Sequence, residues 1–191
     1  MIKVFVFLAL IVESTLALAT EVYFSPNGGC ENQAKQIVDS AKSELLIAVY
    51  SLNSPAVVDA IVAAIQRGVA VEVLTDRTQA FGRGNLEATK KLAASTPNFR
   101  VHTKNRIMHN KYAVADNKRV MLGSFNWTRS AENSNDENCL ITDDVSVVAK
   151  YKQRFDTHLW AVNTEQKSNH ILQSKNIKIY AKKERMSHVS E

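Results

Sequence analysis

The sequence predicts an α/β domain with a mixed, largely buried β-sheet flanked by helices on both faces. Three observations predict it. Leu45 to Tyr50 (LLIAVY) and residues 69–75 (VAVEVLT) are near-continuous apolar runs, as strands covered on two sides require. Segments with apolar residues at helical spacing alternate with such runs. The 191 residues are 45% hydrophobic and 23% charged, with only 6 Gly, 3 Pro and 2 Cys, which excludes collagenous, low-complexity and disulfide-scaffold chains.

The elements follow in order. Glu21 to Ser25 reads as a short strand that ends at Pro26-Asn27-Gly28-Gly29. Residues 31–43 place Ala34, Ile37, Val38 and Ala41 on one helical face. After the strand 45–50, Ser54-Pro55 supplies an N-cap and a proline at the first helical position. That helix runs through Val57, Val58, Ile61, Val62 and Ile65 to Gly68. The strand 69–75 leads into a polar loop, Asp76 to Gly84, which carries Arg77 and Arg83. A helix near 85–95, a strand near 99–103, a hairpin from about 109 to 126, a strand at 138–142 and a helix at 144–160 complete the pattern. No G-x-G-x-x-G or P-loop occurs, so a nucleotide-cofactor fold has no motif support.

The ends of the chain read differently. Residues 1–19 begin with Lys3, continue with an apolar run from Val4 to Val12, and finish on Ala17-Leu18-Ala19. This is the pattern of a secretory signal cleaved after Ala19, with an uncleaved membrane anchor as the alternative. Residues 20–166 form the expected catalytic domain. Residues 167–191 form a basic tail, expected to be a flexible appendage, with six cations against Glu184 and Glu191; four of the five net positive charges lie there. The domain itself is close to neutral, so the net charge of +5 does little to separate a nucleic-acid partner from an anionic membrane. Export would place Cys30 and Cys139 in an oxidising compartment, where one bridge can form; two distant thiols can equally pack as small apolar side chains. Their spacing does not suggest a metal.

The chemistry is concentrated in His109 to Asn126. A two-residue turn at Asn117-Lys118 would set cross-strand partners whose numbers sum to 235, so that His109 faces Asn126 and Lys111 faces Ser124. His109 and Lys111 share a strand face by the period of two. A nucleophile or base, a fixed cation and two neutral hydrogen-bonding groups would then converge, a set suited to a phosphate diester. Asp116 has the other parity and sits at the turn, which argues for a structural role, holding the hairpin by hydrogen bonds. Trp127 and Trp160 read as packing rather than base-stacking residues.

These residues spell H-x-K-x4-D-x6-G-S-x-N, with Gly123 as the glycine, and the pattern resembles the HKD signature of the phospholipase D superfamily. Together with Tyr23 to Pro26, the 45–75 segment and SFNWTRSAENSNDEN, it resembles the small secreted Nuc-type endonucleases of that superfamily over residues 22–160. The resemblance implies a two-step phosphodiester hydrolysis that needs no metal or cofactor, with a covalent phosphohistidine at His109 and Lys111, Ser124 and Asn126 binding phosphate. It also implies a second histidine from another HKD motif. The chain holds one such motif, and His102, His158, His170 and His188 lack the pattern, so a homodimer with a shared site is expected. An acidic residue downstream of G-S-x-N orients the histidine in the family; Glu132 takes that place, with Asp136 and Glu137 as alternatives. Lys104, Arg106, Lys118 and Arg129 would flank the site and meet phosphates. The expected function is a non-specific nuclease acting on DNA or RNA, secreted or periplasmic. A phospholipase D acting on phosphatidyl headgroups is the alternative, and a non-catalytic polyanion-binding module is a third.

Overall fold

The computed structural model describes residues 19–103 and 105–161. The N-terminal segment up to residue 18, Lys104 and the basic tail 167–191 lie outside the described residues.

Seven strands form one sheet in the order β1-β7-β6-β5-β2-β3-β4. In chain order these are β1 (Thr20–Ser25), β2 (Glu44–Val49), β3 (Ala70–Thr75), β4 (Phe99–Val101), β5 (Lys111–Ala115), β6 (Arg119–Gly123) and β7 (Glu137–Thr142). β2, β3 and β4 run parallel, and β2 meets β5 antiparallel, so the sheet is mixed. Helices α1 (Cys30–Ser40), α2 (Pro55–Gln66) and α4 (Leu86–Ser95) cover one face, and α6 (Val145–Arg154) with a π-helical turn (Phe155–Trp160) covers the other.

The central strand shows why. In β2, Leu45, Ile47 and Val49 enter the α1–α2 core, and Leu46 and Ala48 enter the smaller core under α6. An apolar run with no polar alternation is what two covered faces demand. Ser54 caps α2 through the Val57 N–H ahead of Pro55. Two short helices, α3 (Arg77–Ala80) and α5 (Arg129–Asn133), occupy stretches where the sequence shows no helical period. Each is held by its N-cap, Asp76 and Thr128, rather than by an apolar stripe. Both tryptophans pack: Trp127 is buried, and Trp160 stacks on Phe155 with the Arg100 guanidinium 3.6 Å from its ring centre.

Cys30, at the start of α1, and Cys139, in β7, are joined by a disulfide with Cα atoms 5.9 Å apart. Among the described residues no helix is long and apolar enough to cross a membrane.

The β5–β6 hairpin corrects the expected register. Ala115 pairs with Arg119 and Val114 with Val120, so partner numbers sum to 234, not 235. The turn has three residues, and Asp116 and Asn117 both take left-handed backbone, with φ of 52° and 54°. Continued along the strands, this register sets Lys111 opposite Gly123 rather than Ser124.

Candidate active site

Parallel strands bring their C-terminal ends to one edge of a sheet, and antiparallel neighbours add the opposite ends. Val49 of β2 pairs with Lys111 of β5, so Tyr50, Lys111 and the end of β6 meet there with the start of β7. The strands stop just as the motif's polar residues begin, which leaves His109, Ser124 and Asn126 beyond the ladder. The pairings expected of them as strand partners do not form.

His109 is exposed, and its ring lies 4.6 Å from that of Tyr50, at an interplanar angle of 60°. The Tyr50 N–H donates to the Asn110 carbonyl at 2.7 Å, which ties β2 to the segment carrying the histidine. Lys111 is only 9% exposed. Its Nζ donates to the His109 carbonyl at 3.0 Å and sits 5.0 Å from the centre of the Tyr50 ring. Burial pulls the Lys111 ammonium below the ordinary lysine range, and the attraction of Glu137 opposes that shift. The ammonium carries three donors and uses one on the His109 carbonyl, so it is a partly satisfied cation beside an exposed imidazole.

Ser124 is exposed. Its Oγ donates to the Glu137 carboxylate at 2.6 Å and accepts the Asn138 N–H at 3.0 Å. Asn135 Nδ2 donates to the other Glu137 oxygen at 3.1 Å. Asn126 Oδ1 is buried without a hydrogen-bond partner among the described residues. Gly123 is required where β6 approaches β7: at φ 152°, an added Cβ would lie 2.3 Å from the Asn138 carbonyl oxygen.

The acidic residues divide sharply. Glu132 lies on α5, and its Oε2 accepts the Glu31 N–H at 3.1 Å, at the start of α1 beside the Ser54–Glu31 hydrogen bond. Glu137 is the carboxylate bonded to Ser124 and acting on Lys111. Tyr50 and Asp76 were not read from the sequence as site residues. Each follows a buried strand directly, and that position is the signal that would have marked them. Asp76 Oδ2 accepts the Met108 N–H at 3.1 Å, so it anchors the chain one residue before His109.

Asp116 sits at the other end of the sheet. Its carboxylate accepts the N–H groups of Lys42, Ser43 and Glu44 and the Ser43 hydroxyl, at 2.7–3.0 Å. It thus clamps the beginning of β2 to the β5–β6 turn rather than bonding within its own hairpin. Lys118 shares that turn and is corrected on the same ground: it lies about a strand's length, ~16 Å, from the motif's histidine end and does not flank the site. Arg129 lies at the start of α5, where its N–H donates to the Asn53 side chain, and Arg106 precedes Met108 on the site's own segment. His158 bonds to its neighbour Thr157 in the π-helical turn. Among the described residues no group of three or more His, Cys, Asp and Glu could hold a metal ion.

A family model described as "Cardiolipin synthase, PLD-like domain" matches residues 34–160, from within α1 to the end of the π-helical turn. The chain belongs to the phospholipase D superfamily. That superfamily includes phosphodiester hydrolases, and the histidine and lysine of this member's HKD motif, His109 and Lys111, lie at the sheet end that carries Tyr50, with the motif's Asp116 at the opposite end. A phospholipase D of Rickettsia prowazekii is 29% identical over 132 residues, covering 69% of this chain and 63% of that one. A mitochondrial cardiolipin hydrolase of Xenopus tropicalis is 35% identical over 120 residues, covering 63% and 56%. The chain spans less than two thirds of the length of these relatives. The crystal structure of Nuc from Salmonella typhimurium, a phospholipase D family member, superposes with a TM-score of 0.70 at 29% identity. That match covers 78% of this chain and 96% of Nuc.

Proposed function

We propose that this protein is a phosphodiesterase that cuts nucleic acid without sequence preference, with His109 as nucleophile. The observation that carries the chemistry is the pairing of an exposed imidazole with a buried, partly satisfied ammonium two residues away. Imidazole nitrogen attacks phosphorus, the P–O bond to the leaving group breaks, and that oxygen takes a proton from a second histidine. Water then attacks the phosphohistidine, giving its proton to the second histidine and releasing His109. Lys111 would meet a non-bridging oxygen with its spare donors. Asn126, as it stands with Oδ1 buried, would offer that oxygen the N–H donors of its Nδ2. Glu137, rather than Glu132, is the carboxylate we assign to holding this arrangement, through Ser124 and the Lys111 charge.

The chain carries one HKD motif, so the second histidine is His109 of a second copy, and the working form is a homodimer. Export is proposed on the N-terminal pattern, and the first strand begins at Thr20, directly after the proposed cleavage point. The disulfide suits an oxidising compartment.

The chain sets Asn105 and Arg106, both exposed, on the segment that leads to His109, which suits a polyanionic strand better than an acyl chain. Its near-complete coverage of Nuc supports the same reading. The names of the curated relatives favour phospholipid hydrolysis as the second reading. A side-by-side assay in EDTA decides between them. Plasmid and single-stranded DNA should be degraded while phosphatidylcholine and cardiolipin vesicles stay intact; the reverse result establishes the lipase. Binding without turnover on any of these would return the chain to the polyanion-binding module.

A further inference from the structure

A cleft of about 300 Å³ lies between the start of α3 and the segment that leads to His109, and the phosphoryl-transfer steps above make no use of it. Asp76, Arg77 and Thr78 contribute from the start of α3, His102 from just after β4, and Asn105, Arg106 and Ile107 from the segment that leads into Met108 and His109. Both sides are fixed to the catalytic end of the sheet. Gln79 of α3 donates to the Tyr50 hydroxyl at 2.9 Å, and the Tyr50 ring lies against His109. Across the cleft, the Met108 N–H is held by Asp76, and Ile107 is two residues from His109, no more than about 7 Å along the chain.

The charges in this cleft are unbalanced. Its one carboxylate, Asp76, is committed to backbone donors: Oδ1 accepts the Thr78 and Gln79 N–H groups, and Oδ2 accepts that of Met108. Arg77 and Arg106 are both exposed, and neither side chain meets a carboxylate among the described residues. Two guanidinium groups line the same cleft as Thr78 and Asn105, and guanidinium offers an anion planar, multidentate donors.

We propose that this cleft is a second phosphate subsite, in which Arg77 and Arg106 hold the phosphate adjacent, along the strand, to the one attacked by His109. This rests on the nuclease reading and names how that substrate is gripped. Its consequence is that a substrate with a phosphate next to the scissile bond is preferred over one without it, and that the preference resides in the two arginines.

The test uses the full chain and two dinucleotides that differ only in a terminal phosphate, assayed at several salt concentrations. Wild type should cleave the phosphorylated dinucleotide with kcat/KM roughly tenfold or more above its partner, as one charge-assisted hydrogen bond implies. In the double variant Arg77→Gln/Arg106→Gln that preference should fall to within about twofold. The salt dependence of KM for single-stranded DNA should flatten by about 0.7 for each phosphate that the variant no longer neutralises. The double variant Arg77→Lys/Arg106→Lys, which keeps the charge but not the planar fork, should restore the salt dependence and only part of the preference. If wild type cleaves both dinucleotides and the glutamine variant keeps its full preference, the subsite is wrong and the nuclease reading stands. If wild type cleaves neither dinucleotide nor longer DNA while hydrolysing phospholipid, the nuclease reading fails and takes the subsite with it.

Discussion

Lys111 is where burial and function conflict most directly. A lysine 9% exposed, with one hydrogen bond to a carbonyl and an aromatic face nearby, is an uneasy cation, and a bound phosphate would relieve it. Lys111→Met keeps the length of the side chain and removes the charge. We expect kcat/KM to fall by about 10²–10³, as for other losses of a preorganised donor, with little loss of stability. The free enzyme should also lose activity on the alkaline side at a pH below the ordinary lysine value of about 10.4, because burial lowers the Lys111 pKa and the working form is protonated. A kcat/KM profile whose alkaline limb is identical in wild type and Lys111→Met would remove Lys111 from that role. His109 and Lys111 were legible because a motif of fixed spacing can be read whatever the register of the strands that carry it. The choice between Glu132 and Glu137 was not, because sequence distance from G-S-x-N does not show that Glu132 turns toward the start of α1.

The hairpin β5–β6 shows how one turn residue governs a site. A two-residue turn is the default between alternating strands; left-handed backbone at Asp116 and Asn117 closes such a turn, with the Lys118 N–H donating to the Ala115 carbonyl at 2.9 Å, but Arg119 rather than Lys118 pairs with Ala115, and this one extra residue shifts every partner by one. The patch tolerates that shift because His109, Ser124 and Asn126 lie past the strand ends, and Lys111 is set by its pairing with Val49 of β2 rather than by β6. Asp116 is the element's anchor. Its partial burial pushes the carboxyl pKa up, but hydrogen bonds from Glu44, Ser43 and Lys42 outweigh that and bring it down to about 2. A depressed carboxylate stabilises the fold fully above its unfolded value near 3.9 and loses that contribution as pH falls toward 2. Asp116→Asn should therefore cost about 1–3 kcal/mol at neutral pH, with the gap from wild type closing between pH 4 and pH 2 in denaturant titrations. A gap independent of pH would contradict the clamp. The disulfide acts on two further elements, α1 and β7, across 109 residues of sequence. Replacing Cys30 and Cys139 with serine should cost about 2–4 kcal/mol, read from the shift in denaturation midpoint.

For the molecule as a whole, fold class was the most legible property, since apolar runs and helical spacing report directly on which surfaces are covered. The strand order was not legible, because β1 pairs with β7 at the far edge and no local pattern encodes that return. The proposed assembly follows from arithmetic on the motif: one nucleophilic histidine in a two-histidine reaction requires a second copy. Light scattering at assay concentration should give a dimer, and an active monomer would refute the shared site. The claim on which the rest depends is that His109 carries the phosphoryl group. The most direct test mixes excess enzyme with an oligonucleotide, quenches under alkaline conditions that preserve phosphohistidine, and maps the adduct by mass spectrometry of the His109 peptide. A nucleotidyl group on His109, absent when His109 is replaced by Ala, is the predicted result. Full turnover with no adduct at His109, or turnover retained by His109→Ala, would contradict it.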